Sequence, residues 1–332
     1  MPGRKNSPVF VIGCHRSGTN LLYDTLLSAG GFAVYRASST VYSTLIPRFG
    51  DLAIPKNRER LMQVWLQSKS FRRSGLRPEF VRSSILKGCR SGGDFLRIIM
   101  EEVARHQDVE RWAVYDPDNA LYIREIKRDF PDALLLHIIR DGRDISLSLT
   151  KMGGLSPFWW DRKKNLFATA LYWQWVVRKA RQDGRLFLSD YCEVHYEDLV
   201  TQPQSTLSMI AEFLDHDLDY DRIQRAGIGS VCEPNSTFPE EIEAPAFNPI
   251  NRWMERLSQQ DISQLEGLIG ECLQEFGYCL LNSHDGFQRH LRLRLMDVLY
   301  PSYFDTKLWL KSHTPLGRLA SLDAMDLAEA TR

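Results

Sequence analysis

The segment VFVIGCHRSGTNLL, residues 9–22, constrains the fold more than any other stretch of this chain. Residues 9–12 form an apolar run as long as a buried strand, residues 13–19 are mainly small and polar, and apolar residues then recur at helical spacing as far as Gly30. A strand, a glycine-containing loop and a helix in this order form a cradle for phosphate, because the loop N–H groups and the positive end of the helix dipole both attract an anion. The segment predicts an anion site, against the alternative of a plain strand-to-helix turn with an incidental arginine.

The residues of this loop differ from those of ATP- and GTP-binding loops. Gly13 and Gly18 stand as in the pattern G-x-x-x-x-G-K-[ST], but Thr19 and Asn20 occupy the positions of the lysine and the hydroxyl residue. ATP and GTP enzymes use that lysine on the outer phosphates and that hydroxyl on magnesium. The cation here is Arg16, two residues before the second glycine. We call residues 13–20 the anion loop, and it predicts anion binding without Walker-type chemistry.

Composition limits the class of partner. Lysine plus arginine equals aspartate plus glutamate, 42 of each in 332 residues, so no overall field attracts nucleic acid. The six cysteines include no C-x-x-C pair, which argues against a zinc site and a disulfide scaffold. No apolar run approaches the roughly 20 residues that span a bilayer, and the first strand begins too early for a signal peptide. We therefore expect a cytoplasmic protein without a metal.

The alternation of strand-like and helix-like segments predicts the fold class. Apolar runs at 112–115 and 133–139 are typical of strands, and the second is uniformly apolar, as in a strand covered on both faces. Residues 92–106 have apolar positions at helical spacing. Such alternation over the first 200 residues predicts an α/β fold of three layers, α/β/α, around a mainly parallel sheet. We predict one domain over 1–282 and a basic, aromatic, helical C-terminal extension over 283–332.

Charged and polar residues follow the predicted strands. Ligands of parallel sheets bind beyond the carboxyl ends of the strands, which is where the anion loop, Asp116 and Arg140 are expected. Ser148 follows Arg140 by eight residues, about two turns into the next helix. The arginine and the hydroxyl can hold a second phosphate beside the first. The alternative for Arg140 is a salt bridge with Asp141 or Asp144.

Four segments with distinctive residues follow one another along the chain. They are G-C-H-R-S-G-T-N-L-L at 13–22, I-I-R-D-G-R-D-I-S-L-S at 138–148, V-H-Y-E-D-L-V at 194–200, and a C-terminal set of N-R-W at 251–253 with F-G-Y at 276–278. In content and order they resemble the motifs of the P-loop sulfotransferases that use 3′-phosphoadenosine 5′-phosphosulfate (PAPS). The arginine of the first segment resembles the bacterial and protein-tyrosine branch, since the small-molecule cytosolic branch has lysine there.

The resemblance implies a reaction and a set of ligand contacts. PAPS would give its sulfuryl group to a hydroxyl or amine, leaving adenosine 3′,5′-bisphosphate (PAP), with no metal required. Arg16 would act on the leaving oxygen and the sulfuryl oxygens. The 5′-phosphosulfate site would comprise the whole anion loop: Gly13, Cys14, His15, Arg16, Ser17, Gly18, Thr19 and Asn20.

Five residues outside the loop are implied in binding the rest of the nucleotide. Arg140 and Ser148 would hold the 3′-phosphate, and Tyr196 would contact the adenosine. Arg252 and Ser236 are further phosphate contacts implied by looser alignment.

The acceptor side departs from the pattern of those relatives. Tyrosine-sulfating enzymes have a catalytic glutamate shortly after the first helix, but residues 36–40 contain no carboxylate, and Tyr115 stands where they have lysine. A base within reach of the attacking hydroxyl is usually needed. We expect Asp116 to be that base, with Asp118 and His15 as further candidates, although an aspartate before proline is also a common turn former.

The basic and aromatic tail and the acceptor stay open at this point. The tail can pack on the domain or on a second subunit, flank an acidic acceptor, or lie on a membrane surface. The acceptor can be a small molecule, a carbohydrate or a peptide. Alternatives to a sulfotransferase are a kinase-like phosphoryl transferase on the same cradle and a catalytically impaired nucleotide-binding or scaffold protein.

Overall fold

A computed structural model describes most of the chain. The described residues are 4–152, 155, 157–162, 165–226, 249–281, 291–319 and 322. Ser236, implied above as a phosphate contact, lies outside them.

A parallel sheet forms the centre of the described structure. Its strands, in chain order, are β1 (Val9–Gly13), β2 (Phe32–Ala33), β3 (Arg111–Tyr115), β4 (Leu134–Ile139) and β5 (Tyr191–His195). Their order across the sheet is β2-β3-β1-β4-β5, and every neighbouring pair runs parallel. The carboxyl ends of β1, β3 and β4 therefore meet at one edge of the sheet.

Helices cover both faces of this sheet. In chain order they are α1 (Thr19–Ala29), α2 (Ile46–Phe49), α3 (Pro55–Leu66), α4 (Lys69–Ser74), α5 (Pro78–Gly88), α6 (Gly92–His106), α7 (Ile123–Asp129), α8 (Gly142–Lys151), α9 (Leu166–Gly184), α10 (Tyr196–Thr201), α11 (Pro203–Leu214), α12 (Tyr220–Ala226), α13 (Arg252–Arg256), α14 (Gln259–Glu275) and α15 (Leu291–His313). A π-helical turn at Val41–Leu45 and a 3-10 turn at Pro117–Leu121 lie in the connections near the site described below.

The side chains of β1 show why the strand segments are uniformly apolar. Phe10 and Ile12 belong to the core on one face of the sheet, whereas Val9 and Val11 belong to the core on the other face. Helices α1, α11 and α12 contribute to the second core, and α6, α8, α9, α14 and α15 contribute to the first. Both faces exclude water, so neither set of alternating positions is polar. The predicted three-layer α/β fold is confirmed.

Two predicted elements have the expected ends or nearly so. The helix predicted at 92–106 is α6, and a capping box between Ser91 and Asp94 holds its first turn. The strand predicted at 133–139 is β4, which begins one residue later, at Leu134.

The long C-terminal helix α15 packs along α9. Gln174 Nε2 donates to Asp297 and Trp175 Nε1 donates to Asp305, each at 2.9 Å. Phe304 lies against Trp175, with 5.3 Å between the ring centroids. These contacts hold α15 against α9. None of the described helices has both the length and the apolar character that crossing a membrane requires.

Candidate functional site

The backbone of the anion loop folds tightly against the edge of β4. Arg16 and Gly18 both have left-handed backbone conformations, with φ of 71° and 100°, and left-handed residues in a loop are the backbone feature of anion-binding nests. A Cβ on Gly13 would lie 2.5 Å from the carbonyl oxygen of Ile138. Helix α1 begins at Thr19, so its positive end faces the same loop. The loop therefore has the backbone form of an anion cradle.

The two predicted phosphate motifs meet at this loop. Arg16 Nε donates a hydrogen bond to Ser148 Oγ at 3.0 Å, and Arg140 Nη1 donates to the carbonyl oxygen of Arg16 at 3.2 Å. The contacts arise because β1 and β4 are neighbours and Gly13 pairs with Ile138. Residues more than 120 positions apart in sequence thus form a single cationic cluster.

The side chain of Arg140 lies between an aromatic ring and the C-terminal region. Its guanidinium carbon is 4.4 Å from the centroid of the Tyr196 ring, and Nη2 donates to the carbonyl oxygen of Pro249. Its Nε is buried and has no hydrogen-bond partner among the described residues. Arg252, at the start of α13, follows Pro249 closely in the chain. This further predicted phosphate contact therefore lies in the segment that contacts Arg140.

The salt bridge considered as an alternative for Arg140 is not formed. Asp141 instead accepts hydrogen bonds from the buried Arg143, at 2.7 Å between Nη2 and Oδ2. Asp144 accepts the backbone N–H of Asn251 at 2.9 Å. Both carboxylates thus accept hydrogen bonds from other groups, and Arg140 donates to the anion loop and to neither of them.

A cavity of about 430 Å³ opens at this edge of the sheet, and we call it the cleft. It is lined by the anion loop, hydroxyl residues of 38–44, the end of β3, Arg140 and Tyr196. Gly18 lies directly beneath the Tyr196 ring, since a Cβ there would be 2.5 Å from the ring edge. The sequence-predicted residues of the loop and of β4 thus border a common space.

Two carboxyl groups at the end of β3 have opposite pKa shifts. Asp116 is buried, accepts the N–H of Asp118 at 3.0 Å, and accepts the hydroxyl of Ser43 at 3.2 Å. Burial, together with the charge of Asp118, raises the pKa of Asp116 to about 7, although His15 opposes the shift. This value suits a group that takes up a proton at neutral pH.

Asp118 pairs instead with a histidine of the anion loop. Its Oδ1 lies 3.0 Å from Nε2 of His15. Burial acts to raise the pKa of Asp118, but the hydrogen bond and charge of His15, with the charges of Lys311 and Lys307, lower it overall. Burial likewise acts to lower the pKa of His15, but Asp118 raises it overall. Each member of the pair therefore favours the charged form of the other, beside a more basic carboxyl.

Sequence reasoning missed two features of this site. Ser43, which donates to Asp116, lies in the π-helical turn, and the signal available was the high serine and threonine content of residues 38–44, which include it. Lys307 and Lys311 come from α15, and nothing near them in sequence connects them with Asp118.

Comparisons with known proteins agree with the fold and the motifs. Residues 8–220 match the model of a family described as the sulfotransferase family, which is more than half of the chain. The sulfotransferase domain of the olefin synthase of Synechococcus PCC 7002 has a similar structure, with 18% identity and a TM-score of 0.53 over 84% of this chain and 98% of that one. The sulfotransferase domain of the curacin biosynthetic pathway gives 15% identity and a TM-score of 0.52 over 82% and 98%. No curated protein matches the chain significantly in sequence.

Proposed function

Because the chain belongs to the sulfotransferase family, we propose that it transfers a sulfuryl group from PAPS to a hydroxyl or amine of an acceptor. The observation that supports PAPS as donor is the cluster of Arg16, Ser148 and Arg140, in which the two motifs for two separate phosphates come within hydrogen-bond distance of each other. A single-phosphate site would need only the anion loop.

Unpaired buried groups at the cluster fit a doubly phosphorylated ligand. Ser17 Oγ and Arg140 Nε are buried and lack hydrogen-bond partners among the described residues. Leaving such a group unpaired costs about 1–3 kcal/mol, and ligand oxygens would satisfy both. Ser17 and its neighbours in the anion loop would hold the 5′-phosphosulfate, and Arg140 with Ser148 would hold the 3′-phosphate. Tyr196, above Gly18, would cover the adenosine.

Sulfuryl transfer requires a group that stabilises the charge on the leaving phosphate oxygen and a group that takes the acceptor proton, and charged groups of the cleft would do both. The bound donor supplies an activated sulfuryl group whose departure leaves negative charge on a phosphate oxygen. Arg16 and the N-terminus of α1 would stabilise that charge as preorganised positive groups. Asp116 would take the proton of the acceptor hydroxyl, because its pKa of about 7 leaves it partly ionised at neutral pH and able to hold a proton.

Titration with PAP in the absence of magnesium tests the donor. We expect calorimetry to show tight binding to the wild type and binding weakened at least about tenfold in Arg140→Ala, as for the loss of a charge-assisted contact. Arg82→Ala, at an exposed arginine of α5 that does not line the cleft, is the matched control and should bind as the wild type does.

Three other outcomes decide against parts of the proposal. Binding of ATP with magnesium and not of PAP would favour phosphoryl transfer. An Arg140→Ala variant with unchanged affinity would remove Arg140 from the site. Tight PAP binding without turnover of PAPS in the presence of any acceptor would favour a catalytically impaired nucleotide-binding protein.

A further inference from the structure

A second cavity, of about 390 Å³, adjoins the cleft, and we call it the side cavity. Its volume lies within the roughly 300–1,000 Å³ typical of small-molecule sites. Most of its wall is apolar or aromatic, with Leu121, Leu149, Tyr172, Trp175, Phe304 and Leu308 among the lining residues. Such a wall offers few hydrogen-bond partners, so it suits a hydrocarbon chain or ring better than a sugar.

The side cavity reaches the candidate catalytic groups directly. His15, Asp118 and Met152 line both the cleft and the side cavity. The His15 side chain, whose Nε2 contacts Asp118, is 45% exposed. A hydroxyl on a molecule in the side cavity can therefore lie at the junction, next to the anion loop.

Helix α15 forms a fixed wall of this cavity. Besides its hydrogen bonds to α9, the buried Tyr300 donates to Asp161, and Trp160 donates to Tyr300. Phe304 and Leu308, which line the cavity, lie one and two turns further along the same helix. The cavity is thus part of the packed structure of the described residues.

Two lysines of α15 bring positive charge to this apolar cavity. Lys307 and Lys311 both line it and lie four residues apart, on one face of the helix. Neither has a hydrogen-bond or ion-pair partner within the part of the chain that the structure describes. Their charges reach the carboxylate of Asp118, whose nearest partner is His15. Two lysines without an ion-pair partner among the described residues therefore lie near the junction of the two cavities.

We infer that the side cavity binds the acceptor, and that the acceptor is an amphiphile: an apolar chain or ring that carries the reacting hydroxyl and, close to it, an anionic group that pairs with Lys307 and Lys311. This inference rests on the proposed function. In the transfer, the acceptor oxygen forms a bond to sulfur and the bond from sulfur to the phosphate oxygen breaks. PAP leaves with that electron pair, and Asp116 takes the hydroxyl proton.

Two probes with the same hydrocarbon chain test the inference. 2-Hydroxyoctanoate and its methyl ester share the chain and the hydroxyl and differ in charge. With the wild type saturated with PAP, we expect calorimetry to give an affinity for the acid at least about tenfold above that for the ester, as for a charge-assisted contact. With PAPS present, the acid should also be the better acceptor in an assay of PAP formation.

Variants of α15 separate the charge from the apolar wall. Lys307→Gln/Lys311→Gln should remove the preference for the acid and leave PAP affinity unchanged. Lys87→Gln, at an exposed lysine of α5 outside both cavities, should keep the preference. Leu308→Gln should weaken both probes about equally.

The outcomes distinguish this inference from the proposed function. Equal binding of acid and ester, or a preference retained in the double lysine variant, overturns the inference. Normal PAP binding with no binding of either probe also overturns it and leaves the proposed donor intact. If PAP does not bind, the same titrations are run without it, and a lysine-dependent preference for the acid would then support the amphiphile site and reject the proposed function.

Discussion

Asp116→Asn is expected to stabilise the fold at neutral and alkaline pH. Asp116 is 3% exposed, and its burial raises its pKa from 3.8 to about 7. Between these two pH values the folded protein keeps a proton on Asp116 that the unfolded chain has lost. The stabilising contribution of the protonated carboxyl is therefore complete below pH 3.8 and is lost as the pH rises to about 7.

The expected size follows from this shift. A difference of about three pKa units corresponds to about 4 kcal/mol. Asparagine does not titrate, and its amide oxygen can replace one of the two acceptor contacts that the carboxyl makes with Asp118 and Ser43. The lost contact costs about 1 kcal/mol at every pH. The free energy of unfolding of the variant, relative to the wild type, should rise by about 4 kcal/mol from about pH 4 to about pH 8 and stay level above that.

Urea denaturation of both proteins at a series of pH values measures this difference. Asp132→Asn, at an exposed aspartate, is the matched control for the substitution itself. A difference between Asp116→Asn and wild type that is independent of pH would refute the raised pKa, and with it the choice of Asp116 as a base at neutral pH. Where an acceptor is turned over, the variant should also lose about 10²–10⁴-fold in rate.

Two further predictions concern the anion loop and the buried charges beside it. Gly18→Ala should weaken PAP binding at least about tenfold in the same titration. The φ of 100° at Gly18 disfavours a side chain, and the new Cβ would collide with Tyr196. The control is Gly75→Ala, which has a φ of 67° and open space around it and should bind PAP normally. Arg143→Met should lower the free energy of unfolding by about 3–5 kcal/mol, because it removes the ion-pair partner of the buried Asp141 and Glu266. Arg178→Met breaks a more exposed ion pair and should lower the free energy of unfolding by no more than about 1 kcal/mol. Thermal or urea denaturation compares these two variants, and equal losses would contradict the reasoning.

Patterns within short stretches of sequence were sufficient to predict the fold class and the anion loop. The uniformly apolar runs of β1 and β4 indicated strands covered on both faces, and the structure confirms that layering. Gly13, Gly18 and the change to helical spacing at α1 indicated a strand, a loop and a helix in succession. These features depend on neighbouring residues, so the order of residue types along the chain is enough to reveal them.

The partners of the charged residues were not predictable in the same way. Position alone left Arg140 undecided between a phosphate contact and a salt bridge with Asp141 or Asp144. The structure gives Asp141 to Arg143, so Arg140 is left facing the anion loop. Such a choice depends on which side chains the packing of β4, α8 and α14 brings together.

The acceptor side depended on tertiary structure most of all. Sequence patterns left Asp116, Asp118 and His15 as candidate bases, without showing that Asp118 pairs with His15 and that Asp116 is buried beside them. Nor did they connect Asp118 with Lys307 and Lys311, almost 200 positions away. Backbone conformation and strand or helix periodicity are set by local sequence. The pKa values and the cavity walls are set by distant segments that pack against each other, here the end of β3 and α15.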